Sequence, residues 1–148
     1  MASASQDQQL QGSIVPMQRA PRPMEPGVTI GHVHLRTSDI DRIRHFYVDV
    51  LGFDLVRDAE MQPGLRWVQV APPGGQTSLT LVTWFDSMPA GALRGLVLET
   101  DDLDADVAAL TQRGVTIEGG IQAAPWGRYV TLKDPDGNGL VLQATSVG

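Results

Sequence analysis

The pentad Thr37-Ser-Asp-Ile-Asp41 returns in the second half of the chain as Thr100-Asp-Asp-Leu-Asp104. Each copy follows an apolar strand-like run and opens a helical pattern, so the chain is an internal duplication. Asp39 and Asp102 stand where an N-cap accepts hydrogen bonds from the unpaired first-turn amides. Asp41 and Asp104 add negative charge beside the positive helix ends. Apolar residues at Ile40, Ile43, Phe46, Tyr47 and Val50 make a helical stripe after the first copy, and Leu103, Val107 and Leu110 make one after the second. Gly52 and Gly114 fall where a helix C-terminus turns left-handed. Three strand-like runs follow each helix: near Phe53–Glu60, Leu65–Ala71 and Thr77–Trp84, then near Val115–Gln122, Arg128–Lys133 and Gly139–Ala144. Pro63-Gly64, Pro72-Pro-Gly-Gly75, Pro125 and Asp134-Pro-Asp-Gly-Asn138 separate them as turns.

The duplication predicts an α+β fold of two βαβββ modules, about 28–84 and 93–144, paired around a shared cavity. The 148 residues suffice for one ordinary domain, here 27–148. Met1 to Pro26 is rich in Gln, Ser and Pro without a sustained period, and reads as a flexible N-terminal tail. The absence of cysteine excludes disulfides, zinc–thiolate sites and cysteine nucleophiles. A net charge of -6 argues against a nucleic-acid partner. No apolar run is long enough to span a bilayer and no signal-peptide core is visible, so no membrane partner is expected and the location expected is cytoplasmic.

Gly31-His-Val-His-Leu35, then Asp39, Phe46-Tyr47 and Leu51-Gly-Phe53, together with Asp134-Pro-Asp-Gly-Asn138, resemble the vicinal oxygen chelate superfamily. That group includes glyoxalase I, bleomycin-resistance proteins, fosfomycin-resistance enzymes and extradiol dioxygenases. The resemblance runs from about Val28 to Ala144. It implies paired βαβββ modules curving around one cavity, often completed by a second subunit, so a homodimer is expected. It specifies fold far better than function.

Strand alternation sorts the side chains into two faces. Val33, Leu35, Leu79, Leu81, Leu96, Leu98, Leu140 and Leu142 suit the helix-facing side. The cavity side then holds His32, His34 and Arg36, Thr80 and Val82, Glu99, Val141 and Gln143. Val28 and Ile30 share the histidines' parity, so the first strand either starts late or carries a bulge. Trp67 and Tyr129 fall near the cavity by pattern, and Trp126, beside Pro125, suits a pocket rim; such faces fit planar organic ligands. Trp67 and Tyr129 equally suit core or dimer contacts. The resemblance implies a ligand-binding role for Arg36, at a position that contacts a ligand carboxylate in glyoxalase-like enzymes; alternatively Arg36 and its repeat partner Glu99 pair across neighbouring strands.

Metal-dependent members of the superfamily place one ligand on each module-opening and module-closing strand. Those positions here are His32, Thr80, Gly95 and Val141, of which only His32 ligates a metal well. No cofactor is therefore expected. The reading is a glyoxalase/bleomycin-resistance-like protein that binds a small organic molecule in a metal-free cavity. The alternative is an enzyme of lyase, isomerase or dioxygenase type, with His32 and His34 as acid–base groups. In its metal-dependent form the two same-face imidazoles, about 7 Å apart, would be joined by Glu99 or Glu60.

Overall fold

The computed structural model describes residues 27–84 and 86–146; the N-terminal stretch read above as a tail lies outside the described residues. Strand β1 (His32–Arg36) leads into helix α1 (Ile40–His45), which continues as one π-helical turn over Phe46–Val50. Strands β2 (Asp54–Gln62), β3 (Leu65–Ala71) and β4 (Ser78–Val82) complete the first module. The second module repeats the order with β5 (Leu96–Glu99), helix α2 (Leu103–Gln112), β6 (Glu118–Ala124), β7 (Gly127–Lys133) and β8 (Gly139–Thr145). The strands form two separate four-stranded mixed sheets, ordered β1-β4-β3-β2 and β5-β8-β7-β6. In each, the module-opening strand runs parallel to the closing one and the other pairings are antiparallel.

Both helices begin where their aspartates cap them. Asp39 accepts from the Arg42 amide at 3.1 Å and Asp102 from the Ala105 amide at 3.0 Å. The π turn is marked by the Leu51 amide donating to the Phe46 carbonyl at 2.9 Å, one residue wider than an α-helical bond. This widening lets two consecutive residues, Phe46 and Tyr47, both point inward and be buried.

One hydrophobic core serves both modules. Leu35, Ile43, Tyr47 and Leu81 from the first join Leu103, Val130, Leu132 and Leu140 from the second in a single buried cluster. The helix-facing assignment holds for Leu35, Leu79, Leu81, Leu140 and Leu142, with Leu96 and Leu98 packed at the cluster's margin. Val33 departs from it: on an edge strand, two residues short of Leu35, it stays 44% exposed. Val28 and Ile30 precede the strand and are exposed, so β1 starts late, at His32.

The Asp134–Asn138 segment is the β7–β8 hairpin turn, closed by Gly137 N–H donating to the Asp134 carbonyl at 2.9 Å. It also fastens the modules together. Asp134 accepts from Tyr47 Oη at 2.8 Å, and Asp136 accepts from the Thr37 and Ser38 hydroxyls and from the Arg42 guanidinium. Asn138 accepts from the Leu93 amide in the inter-module connection at 3.0 Å. Among the described residues, no helix is long and apolar enough to cross a membrane.

Candidate functional site

The side of the first sheet turned away from the core carries an aromatic and histidine cluster. Register pairs His32 with Ser78, His34 with Thr80 and Arg36 with Val82 on β4, and Thr80 with Gln69 on β3. Partners in register share a face, so β1, β3 and β4 project His32, His34, Trp67, Gln69, Ser78 and Thr80 to one side.

The two histidines are much closer than strand spacing alone suggests. Their rings stack with centroids 5.1 Å apart and planes 20° apart, and the two Nε2 atoms meet at 3.2 Å. Trp67 stands edge-on to both, at 5.3 Å from His32 and 5.9 Å from His34. Trp84 closes on His34 from the other end of β4 at 5.6 Å. A polar relay fixes Trp67 in this pose: its Nε1–H donates to Gln69 Oε1 at 3.1 Å, and Gln69 Nε2 donates to Ser78 Oγ at 2.7 Å. Ser78 Oγ in turn donates to the Gly31 carbonyl at 3.3 Å, tying the relay to the start of β1.

Electrostatics on this face favour the neutral form of His34. Burial, and then the neighbouring His32, hold His34 below the ordinary imidazole value. Thr80 is fully buried, and its hydroxyl has no hydrogen-bond partner among the described residues.

The expected Arg36–Glu99 pair does not form. Arg36 donates to the Met88 carbonyl at 3.1 Å and lies 3.8 Å from Asp86, both in the segment after β4. Glu99 instead accepts from Gln143 Nε2 and from Thr145 Oγ1 across the β5–β8 pairing. Arg36 and Glu99 stand on β1 and β5, edge strands of separate sheets and not neighbouring strands, so each meets partners within its own module.

The second sheet presents its own face. Val97 pairs with Val141 and Glu99 with Gln143, and Tyr129 neighbours Gln143 on β7. Trp126, 44% exposed, stacks on Tyr129 with centroids 5.4 Å apart. The residues chosen from sequence thus divide into two clusters: His32, His34, Arg36, Trp67 and Thr80 on the first sheet, and Glu99, Trp126, Tyr129, Val141 and Gln143 on the second. Gln69 and Ser78 were missed. Their signal was parity with Trp67 and Thr80, and polarity within strands otherwise built of apolar residues.

A cavity of about 380 Å³ lies elsewhere, between Leu51, Phe53 and Pro72 of the first module and β5 and α2 of the second. Its polar side chains are already engaged: Glu99 as above, Asp106 by the Thr100 hydroxyl, and Arg113 by the Val50 carbonyl. A binding site needs polar groups able to orient a ligand, so the histidine face is the better candidate.

A match to the family model for the Glyoxalase/Bleomycin resistance protein/Dioxygenase superfamily spans residues 29–142. The chain belongs to this superfamily. It is similar to TnmS3, an antibiotic binding protein from Streptomyces sp. CB03234, at 46% identity, covering 83% of this chain and all of that one with a TM-score of 0.75. It is also similar to a glyoxalase/bleomycin resistance protein from the same strain, at 48% identity over 78% of this chain and 99% of that one, TM-score 0.70. A superfamily member from Sphaerobacter thermophilus DSM 20745 shares 35% identity over 79% of this chain and 97% of that one, TM-score 0.72.

The residues at the superfamily's implied metal positions do not fit an ion. Thr80 offers a buried neutral hydroxyl, and Gly95 and Val141 offer no donor. Neither carboxylate considered as a third ligand joins the histidines, since Glu99 is bound within the second sheet and Glu60 accepts from the Gly64 amide at the β2–β3 turn. Among the described residues, no group of three or more His, Asp or Glu is gathered as a metal site.

Proposed function

We propose that this protein binds and sequesters a planar organic molecule of antibiotic type on the histidine–tryptophan face, without a resident metal and without chemical turnover. The observation that carries the reading is the pose of Trp67, held by the Gln69–Ser78 relay edge-on to the stacked His32 and His34. A rigid aromatic surface beside polar groups suits a flat ligand carrying a few heteroatoms. The similarity to an antibiotic binding protein over nearly its whole length supports the same class of ligand.

The same reading includes a cytoplasmic homodimer. Support for pairing comes from the two separate sheets, whose edge strands β2 and β6 are exposed along most of their length, and from exposed Val97 and Trp126 beside the second face. An edge of this kind is commonly covered by another chain. Light scattering on the purified protein is expected to return twice the chain mass.

The deciding experiment titrates a panel of planar aromatic antibiotics against tryptophan fluorescence and follows each compound by chromatography. Saturable quenching with full recovery of the compound is the expected result. Progressive loss of the compound, abolished in His34→Gln, would establish instead the second reading, acid–base catalysis by the histidine pair. The Nε2–Nε2 contact and the lowered His34 value favour that reading enough to make recovery a necessary measurement.

A further inference from the structure

The head-to-head contact of His32 and His34 narrows the chemistry of the ligand. Two neutral imidazoles meet through Nε2 only when one of these nitrogens carries hydrogen and the other presents its lone pair. The pair therefore aims one donor and one acceptor at nearly the same point, 3.2 Å apart.

The groups facing the pair set the sign of charge that this point accepts. From β3 and β4 they are Trp67, Gln69, Ser78 and Thr80, all uncharged; Trp84, uncharged too, closes the far end. Arg36 follows along β1, engaged by the Met88 carbonyl and Asp86. Arg57 lies in register with Gln69 from β2. Asp86 reaches this face through its pairing with Arg36, and its own side chain is almost wholly exposed. Arg36 and Arg57 flank the face, and Asp54 faces it from β2 in register with Ala71. Strands β1, β3 and β4 carry no carboxylate, so beside the histidines an added negative charge is better tolerated than a positive one. Burial, and then His32, hold His34 below the ordinary imidazole value, so its proton-accepting neutral form is favoured and a protonated form needs an anion beside it. The unpartnered, fully buried Thr80 hydroxyl lies in register with His34 and supplies one more polar group for an oxygen substituent.

We infer that the ligand bears an acidic hydroxyl on its planar ring system, of phenol or enol type, and that His32 and His34 hold this group as an oxyanion between two Nε2–H donors. The step balances within the complex. The ligand O–H bond breaks, an N–H bond forms at the Nε2 that had been the acceptor, and the other Nε2 turns its existing hydrogen from its neighbour to the oxygen. The result is a phenolate facing an imidazolium and a neutral imidazole, joined by charge-assisted hydrogen bonds. This inference rests on the ligand-binding reading of the same face.

The test compares 4-nitrophenol with nitrobenzene, which has the same ring and no hydroxyl. Equilibrium dialysis gives the affinities, and the absorbance of bound 4-nitrophenol reports whether its oxygen is ionised. The phenol is expected to bind roughly tenfold tighter than nitrobenzene, the weight of one hydrogen bond to a charged group. It should show the phenolate band at a pH where the free compound is protonated. His32→Gln and His34→Gln should each remove the band and the preference while keeping nitrobenzene binding. His45→Gln, whose imidazole pairs with Asp49 on the first helix at 2.9 Å, should change nothing.

Equal affinities with a neutral spectrum overturn the inference and leave the binding reading intact. A band that survives in both histidine variants overturns it as well. Failure of both compounds to bind also overturns it, since a face shaped for a planar phenol must take this one measurably; the antibiotic titration then decides the wider reading by itself.

Discussion

Tyr47 shows how much a single side chain joins in this protein. It is fully buried between the modules, and its hydroxyl donates to Asp134 at 2.8 Å. Burial, then the nearby Asp134 charge, push its phenol well above the usual range, so it stays a donor at every accessible pH. Tyr47→Phe leaves Asp134 short of one donor in a buried place. It is expected to cost about 1 to 3 kcal/mol, read as a lower urea midpoint with an unchanged slope. Gln69 works on the other face with little bearing on the core. Gln69→Leu should free the Trp67 ring, weaken binding of a quenching antibiotic roughly tenfold, and change stability by no more than about 1 kcal/mol. The sequence pointed to Trp67, His32 and His34 because alternation along a strand is local. It did not point to Tyr47–Asp134 because nothing local links residues that far apart in the chain, and it read the Asp134 turn as a hairpin alone.

Among the elements, the strands fell close to their expected ranges, with β3 matching Leu65–Ala71 at both ends. Turn residues and strand periodicity set those limits. The first helix was legible in its start, through Asp39, and in its buried stripe, but not in its change of pitch. A π turn keeps the same apolar residues inward, so periodicity hardly distinguishes it from a continuing α-helix. The approach of β7 to β8 was equally hidden. Gly127 begins β7 with φ of 149°, and a Cβ there would meet the Ala144 carbonyl oxygen at 2.2 Å. Gly127→Ala is therefore expected to cost about 3 kcal/mol. Hydrogen exchange should localise the damage to the β7–β8 hairpin and spare β1–β4.

Across the whole molecule, acid sensitivity follows from His34 and from carboxyls held low by their partners: Asp136 at the joint between modules, Asp58 beside Arg66 and Asp104 beside Arg128. Burial alone would raise Asp136, but the Thr37 and Ser38 hydrogen bonds and the Arg42 charge outweigh it and hold the carboxyl below its ordinary value. A carboxyl depressed by folding contributes stability above its unfolded value, and that stability is lost as pH falls through the folded one. His34 is also depressed, so the unfolded chain takes up its proton first and stability begins to fall below about pH 6.5. Urea midpoints against pH should show a shallow loss there and a steeper one below about pH 4. Asp136→Asn should reduce the lower loss to the share left by Asp58 and Asp104, keep the upper, and cost about 2 to 3 kcal/mol at neutral pH. The two halves of this duplicated chain have thus stopped being interchangeable. The hairpin that fastens the modules belongs to the second copy, while its counterpart in the first is the uncharged Pro72-Pro-Gly-Gly75 loop. The histidine–tryptophan face belongs to the first copy and lies on the side of its sheet away from that fastening. Selection for a new ligand can therefore rewrite β1, β3 and β4 on one side without testing the joint on the other. That separation lets such a scaffold keep pace with changing small molecules without first securing a spare margin of stability.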